Sequence, residues 1–322
     1  MMKFDSSLFY AGRACFFQIS GVVAPTIHVK CEALNVAGSI KIKPALRMIQ
    51  DLEEAGRLSQ DSTLIESSSG NLGIAVSMIA ASRGFRFICV TDRNASNYSV
   101  SVMRAVGSEV IVVDKKDANG GYLGSRIALI ESMCKADPKM VWINQYANES
   151  NWLSHFDTTA PEILAEFPKV DHLFVGTGTT GTLMGCARYF RNHSPNTRII
   201  AVDAAGSVTF GTKSGPRHIP GIGTSRRPEL LDESLVDAVV HVPELETIRT
   251  CRELAACGLL LGGSTGSVLA GIKRYGGTLK RDDVVITIMP DLGSKYLDTI
   301  YSDQWVERHY GSLNELRMAV IE

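Results

Sequence analysis

Short runs of β-branched and apolar residues, each closed by turn-forming residues, recur over residues 26–30, 63–65, 85–90, 109–113, 141–144, 172–175, 198–202, 238–242 and 284–288. Their length and composition predict strands. Between them, residues 40–54, 72–83, 122–135, 183–192, 244–256 and 267–274 place apolar side chains at helical spacing. Strand and helix in alternation over the whole length predict an α/β fold of doubly wound, largely parallel sheets. Such sheets hold ligands beyond the carboxyl ends of their strands, so the loops that follow strands are where chemistry is to be sought.

A chain of 322 residues is more than one small core fills, and two lobes are expected. The 33 Lys and Arg against 34 Asp and Glu leave a net charge of −1, with no long run of either sign. That balance supplies no phosphate-neutralising surface, so nucleic acid is not an expected partner. No apolar stretch reaches the roughly 18 residues of a membrane span. Residues 1–10 carry Asp5 and no continuous apolar segment, so the expectation is a soluble, cytoplasmic protein without a secretory signal. Seven cysteines without a C-x-x-C pair, and seven scattered histidines, point to no metal centre and no disulfide framework.

The 29 glycines change the picture through their placement. Four loops combine glycine with small hydroxyl residues ahead of a helix: Gly38-Ser39, Ser67-Ser68-Ser69-Gly70-Asn71-Leu72-Gly73, Gly176-Thr177-Gly178-Thr179-Thr180-Gly181-Thr182 and Gly262-Gly263-Ser264-Thr265-Gly266. Unpaired amides at a helix start, with the helix dipole behind them, bind anions. The third loop also spells G-x-G-x-x-G, the dinucleotide fingerprint. Asp203, however, lies 27 residues beyond Gly176, and a nicotinamide cofactor gives the other three loops nothing to do.

Asn35-Val36-Ala37-Gly38-Ser39-Ile40-Lys41 resembles the Asn-Pro-x-x-Ser-x-Lys segment of fold-type II pyridoxal-phosphate enzymes, the cysteine synthase and cystathionine β-synthase group. Ser68-Ser69-Gly70-Asn71, Gly178 to Thr182, Gly221-Ile222-Gly223 and Gly262-Gly263-Ser264 resemble further loops of that family, in its order and spacing. Glu66 to Gly73, Gly120-Gly121-Tyr122-Leu123 with Arg126, Asn144 to Glu149, Val202-Asp203-Ala204 with Gly206-Ser207-Val208, and Tyr301-Ser302-Asp303 are similar to one branch of it. That branch joins O-phospho-L-serine to L-glutamate in 2,3-diaminopropionate biosynthesis for siderophores or antibiotics.

The resemblance implies a tryptophan synthase β-like fold of two lobes: a smaller mobile lobe at 41–150 for the substrate carboxylate, and a larger cofactor lobe from 1–40 and 151–322. It implies pyridoxal 5′-phosphate held by a Schiff base to Lys41, which also serves as the Cα base. Asn71 would meet the ring oxygen, Gly178, Thr179, Thr180, Gly181 and Thr182 the cofactor phosphate, and Ser264 the pyridine nitrogen. Ser68, Ser69, the Leu72 amide and Gln145 would take the substrate carboxylate, with Gly221 on the substrate side. Arg126 and Tyr146 would take the leaving phosphate, because a buried dianion needs a cation and a guanidinium binds it through two hydrogen bonds. A homodimer, working beside an NAD-dependent dehydrogenase, is implied as well. Val36, Ile42-Lys43 and Ala14-Cys15 depart from the family pattern. They keep two alternatives open: a thiol-using cysteine or cystathionine synthase, and a non-catalytic cofactor-binding homologue.

Overall fold

The computed structural model describes Phe9 and residues 14–117 and 121–311. Gly120 lies outside them, as does the opening stretch 1–10 apart from Phe9. In chain order the strands are β1 (Cys15–Ile19), β2 (Ile27–Cys31), β3 (Thr63–Ser67), β4 (Arg86–Asp92), β5 (Glu109–Val113), β6 (Met140–Trp142), β7 (His172–Gly176), β8 (Arg198–Ala204), β9 (Ala238–Val242) and β10 (Val285–Met289). The helices are α1 (Ile42–Glu54), α2 (Asn71–Arg83), α3 (Asn97–Ala105), α4 (Leu123–Ala136), α5 (Ser150–Ser154), α6 (Ala160–Glu166), α7 (Gly181–His193), α8 (Glu244–Ala256), α9 (Gly263–Tyr275) and α10 (Asp303–Tyr310).

Two sheets result. One has six strands in the order β1-β2-β10-β7-β8-β9. Its β1 runs antiparallel to β2, and the other neighbours are parallel. The other sheet has four strands, β5-β4-β3-β6, parallel throughout. Every residue of β3 and of β10 is buried, because parallel sheets are covered on both faces; β10 accordingly reads as apolar but for Thr287, while β3 carries Thr63, Glu66 and Ser67 into the interior. In the four-stranded unit, Leu64, Phe87 and Cys89 face α1, α2 and α3, while Ile65, Ile88 and Val90 pack on Ile130 of α4. In the six-stranded unit, Phe174, Ile200 and Val202 lie under α9, and Leu173, Val175 and Ile199 under α6 and α7. Helix α2 is buried along most of its length, and a Cβ at Gly73 would come within 2.5 Å of Met103 Sδ, so glycine sets how closely α2 approaches its neighbours.

The observed elements depart from the periodicity at informative places. Helix α1 starts at Ile42 instead of 40, because Ile40 donates its amide to Pro290 O at 2.8 Å and Ser39 forms a β-bridge with Asp291. Lys41 thereby becomes the helix cap. Strand β6 stops at Trp142, short of 144, where Asn144 turns to a φ of 54°. Helix α9 begins at Gly263, ahead of 267, so Ser264 lies within its first turn. Strand β1 and helices α3, α5, α6 and α10 escape the sequence reading. Between α5 and α6 a π-helical turn, His155–Thr159, shifts the phase of the apolar positions and erases the helical period.

The strand orders reverse direction once in each sheet, between β3 and β6 and between β10 and β7. These are topological switch points, where adjacent loops leave in opposite directions and open a crevice.

Beneath α1 a buried charge cluster fastens β2 to α6. Lys30, 1 % exposed, places Nζ 2.6 Å from both Glu32 Oε1 and Glu162 Oε2. Lys43 meets the same two oxygens at 2.8 and 3.1 Å. Without Lys30 the two carboxylates keep only the partly exposed Lys43, which leaves the buried Glu32 under-compensated. Lys30→Met is expected to lower the unfolding free energy by roughly 3–5 kcal/mol in urea titration; a loss below about 1 kcal/mol would show that the cluster holds little of the fold together.

Candidate active site

The two switch points bring four loops into play: those after β3 and β6 from one sheet, and those after β7 and β10 from the other. They carry most of the residues singled out in the sequence. They also carry the two non-glycine residues with positive φ among the described residues, Asn144 at 54° and Thr180 at 66°. A β-branched residue in that region is strained, and strain of this kind gathers at binding sites.

Lys41 follows a turn held by Asn35, whose Nδ2 donates to Glu32 O and Ser39 O at 2.9 and 3.0 Å and whose Oδ1 accepts from Ala37 N at 3.1 Å. Gly38, with φ +61°, closes that turn. Burial pushes the Lys41 ammonium below the usual lysine range, and the nearby Asp291 opposes the shift. A larger share of neutral amine at physiological pH follows, which suits a nucleophile or a base.

Asp291, absent from the sequence reading, is the first residue after the β10–Pro290 step and is fully buried. Its Oδ2 accepts from Asn71 Nδ2 and from Tyr296 OH, both at 2.7 Å, while Oδ1 has no hydrogen-bond partner. Its carbonyl accepts from Gly262 N at 3.2 Å, and a Cβ at Gly262 would overlap the carboxylate. The Lys41 turn, Asn71 and the Ser264 helix start therefore converge on one carboxyl group. Asn71 Oδ1 in turn accepts from Lys295 Nζ at 2.7 Å, which fixes which end of the amide faces Asp291. Nδ2 keeps a second hydrogen for another acceptor.

On the four-stranded side, Ser68 Oγ accepts from Gly70 N and Gly73 N at 3.3 and 2.9 Å and so shapes its own loop. Ser69 is half-buried, and Leu72 contributes a first-turn amide of α2. Gln145 donates Nε2 to Ser67 O at 2.9 Å, and Tyr146 is half-buried nearby. Arg126 is not a solvated helix residue: it is 8 % exposed, its Nε lies 3.3 Å from Asp92 Oδ2, and its Nη1 makes no hydrogen bond.

On the six-stranded side, Gly178, Thr179 and Thr180 lead into α7, whose first residues are Gly181 and Thr182. A Cβ at Gly178 would sit 3.2 Å from Gly221 O, and one at Gly181 would overlap the Asn151 amide, so neither position admits a side chain without displacement. Asn151 Nδ2 bridges the two halves, donating to Gln145 O at 2.7 Å and Thr179 Oγ1 at 3.1 Å. Thr182 Oγ1 lies 3.2 Å from His155 Nε2. Gly221, φ +91°, and Gly223 lie in the loop beside the cup, where Gly223 N donates to Thr177 O at 2.6 Å. Besides Asp291, the sequence reading passed over Lys295, Asn151, Arg217 and the environment of Glu66. No motif marks them, although Asp291 follows a strand end at a switch point and could have been sought there.

Residues 16–291 match the family model described as pyridoxal-phosphate dependent enzyme. Among solved structures, an O-ureido-L-serine synthase shares 31 % identity at a TM-score of 0.84, over 92 % of this chain and 94 % of its own. An O-acetylserine dependent cystathionine β-synthase from Helicobacter pylori shares 30 % at 0.83, over 94 % of this chain and all (100 %) of its own. A hydrogen sulfide-producing enzyme from Fusobacterium nucleatum shares 30 % at 0.85, over 91 % and 100 %.

Glu66 links this site to pH. It is fully buried at the end of β3, accepting from Ser67 N at 2.6 Å and Gln145 N at 3.1 Å. Burial outweighs those bonds and pushes its carboxyl up to about 7. The folded chain thus holds a proton that the unfolded chain releases near the ordinary glutamate value, so this contribution to stability is complete at acid pH and fades as pH rises through about 7. The melting temperature is expected to fall from about pH 5 to about pH 8, with a contribution of up to roughly 1.4 kcal/mol per pH unit. Glu66→Gln should flatten that slope, and an unchanged slope in the variant would remove Glu66 as its source.

Proposed function

The chain belongs to the pyridoxal-phosphate dependent enzyme family, and on that premise we propose that it replaces the phosphate of O-phospho-L-serine with the amine of L-glutamate, giving N-(2-amino-2-carboxyethyl)-L-glutamate. The residues fit the cofactor: a glycine cradle at a helix start for a phosphate, a buried amine with a depressed pKa for an aldehyde, and a first-turn hydroxyl at Ser264 for a ring nitrogen. Bound pyridoxal phosphate supplies the electron sink that lets a Cα proton and a β-substituent leave. Lys41 would hold the cofactor and would carry the Cα proton. Gly178, Thr179, Thr180, Gly181 and Thr182 hold its phosphate through amides and hydroxyls, and Asn71 offers its spare Nδ2 hydrogen to the ring oxygen. Ser68, Ser69, the Leu72 amide and Gln145 receive the substrate carboxylate. A neutral hydroxyl at Ser264 favours departure of the β-group over a long-lived carbanion. Residues 41–150 act as the lobe that closes and keeps water from the reacting carbons.

The observation that carries the donor assignment is Arg126. A buried guanidinium with a free Nη1, beside Tyr146, suits a dianionic leaving group and is more than an acetyl ester requires. The relatives that act with O-acetylserine or release hydrogen sulfide support a second reading, a thiol or sulfide acceptor on the same scaffold. Arg126→Ala is expected to lower kcat/KM for O-phosphoserine by about 100-fold and that for O-acetylserine by no more than a few-fold. Equal losses on both donors would remove the phosphate role, and formation of a sulfide product but no glutamate adduct, judged by mass spectrometry, would favour the second reading.

A further inference from the structure

We propose that Arg217 is the carboxylate anchor for the acceptor, a site selective for amines that carry a second acidic group. The inference rests on the β-replacement reading above and deepens it by naming what holds the nucleophile.

Arg217 precedes the Gly221-Ile222-Gly223 loop and is half-buried. Its Nη2 donates to Ser225 Oγ at 2.7 Å, while its Nε is buried without a partner. Among the described residues no carboxylate lies at ion-pair distance from it. Of the two acidic groups in its neighbourhood, Glu244 accepts from His218 N, Ile219 N and Tyr310 OH, whereas Asp203 accepts from Ala204 N through Oδ1 and leaves Oδ2 buried without a partner, outside ion-pair distance of the guanidinium. Burial depresses the guanidinium, the direction expected of a cation still lacking its counter-ion. Arginine is rarely left so; a buried charge is normally paired.

The position of this cation is equally telling. The Arg217 Nη1 lies 2.7 Å from where a Cβ on Gly223 would stand, and Gly223 itself is bonded to Thr177 of the cup. Ser225, which holds the guanidinium, sits 3.4 Å from where a Cβ on Gly121 would stand, at the entry to the helix that bears Arg126. Burial pushes the Tyr146 phenol up, and the charges of both Arg126 and Arg217 restrain that shift. Two guanidinia, one on α4 and one in the segment between β8 and β9, therefore act on one phenol. Arg126 is already partly neutralised by Asp92, whereas Arg217 is not. Sulfide, or an amine with no second carboxylate, would leave Arg217 unpaired in the loaded site; a dicarboxylic amino acid supplies the missing anion through a planar two-bond contact.

The test compares L-glutamate with L-glutamine as acceptors, O-phosphoserine being the donor, in the wild-type holoenzyme and in Arg217→Met and Arg217→Lys. Taking the ratio within each protein cancels any loss of folded material. The wild type is expected to prefer glutamate. Arg217→Met should raise KM for glutamate by about 10- to 100-fold while leaving glutamine and the KM of O-phosphoserine within a few-fold, and Arg217→Lys should fall between. Equilibrium dialysis of labelled glutamate against the same holoproteins should show the same order. An unchanged glutamate-to-glutamine ratio in Arg217→Met, or a loss that falls on O-phosphoserine instead, overturns the assignment. A wild-type enzyme that accepts sulfide but neither amine overturns the amine-acceptor reading first, and Arg217 with it, a result visible without either variant.

Discussion

Asp291 is a carboxylate with no access to water, and the site is assembled around it. It receives hydrogen bonds from Asn71 and Tyr296, its backbone closes on Gly262 and bridges to Ser39, and it faces Lys41 across the same space. Burying such a group is costly unless donors and cations surround it. That requirement draws the turn before α1, the start of α2 and the start of α9 to one point. It also sets the electrostatics: burial drives Asp291 up and Lys41 down, and the charge of each restrains the shift of the other. Lys295 belongs to the same unit, because its bond to Asn71 Oδ1 fixes which face of that amide meets Asp291.

The remainder of the site separates work done by dipoles from work done by charges. The segment 177–182 contains no lysine or arginine, so an anion held there would meet amides at the start of α7 rather than a charged side chain. A protein of net charge −1 can in this way hold a phosphorylated cofactor without a basic surface. The guanidinia lie elsewhere, Arg126 on α4 and Arg217 between β8 and β9, and both act electrostatically on Tyr146.

The fold class was legible because its signal is local: apolar runs such as 172–175 and 284–288, spaced by amphipathic helices, can mean little except covered parallel strands. The glycine-rich loops were legible for a related reason, since backbone that must approach an anion excludes side chains. Residues whose role depends on long-range placement were not. Asp291, Lys295 and Arg217 sit in ordinary sequence, and only the strand order brings them to the glycine-rich loops: β10 beside β7 places Asp291 and Lys295, and β8 beside β7 places the segment that carries Arg217. Helix boundaries failed where tertiary bonds overrode periodicity, as at Ile40, or where a π turn broke it, as at His155–Thr159. The surroundings of Arg126 lay equally beyond sequence: its helical position allowed solvent, and its pairing with Asp92 needed β4 beside α4.

The claim on which the rest depends is that the lysine lowered by burial beside Asp291 is the one that holds the cofactor. Two other amines are placed to compete for that role: Lys43, two residues on, and Lys295, bonded to Asn71. Borohydride reduction of the purified holoprotein, followed by peptide mass spectrometry, reads the attachment point directly. The pyridoxyl mass is expected on the peptide that contains Lys41, on that residue alone, and to be missing from the Lys41→Ala protein; its recovery on Lys43 or Lys295 with Lys41 unmodified would contradict the arrangement described here.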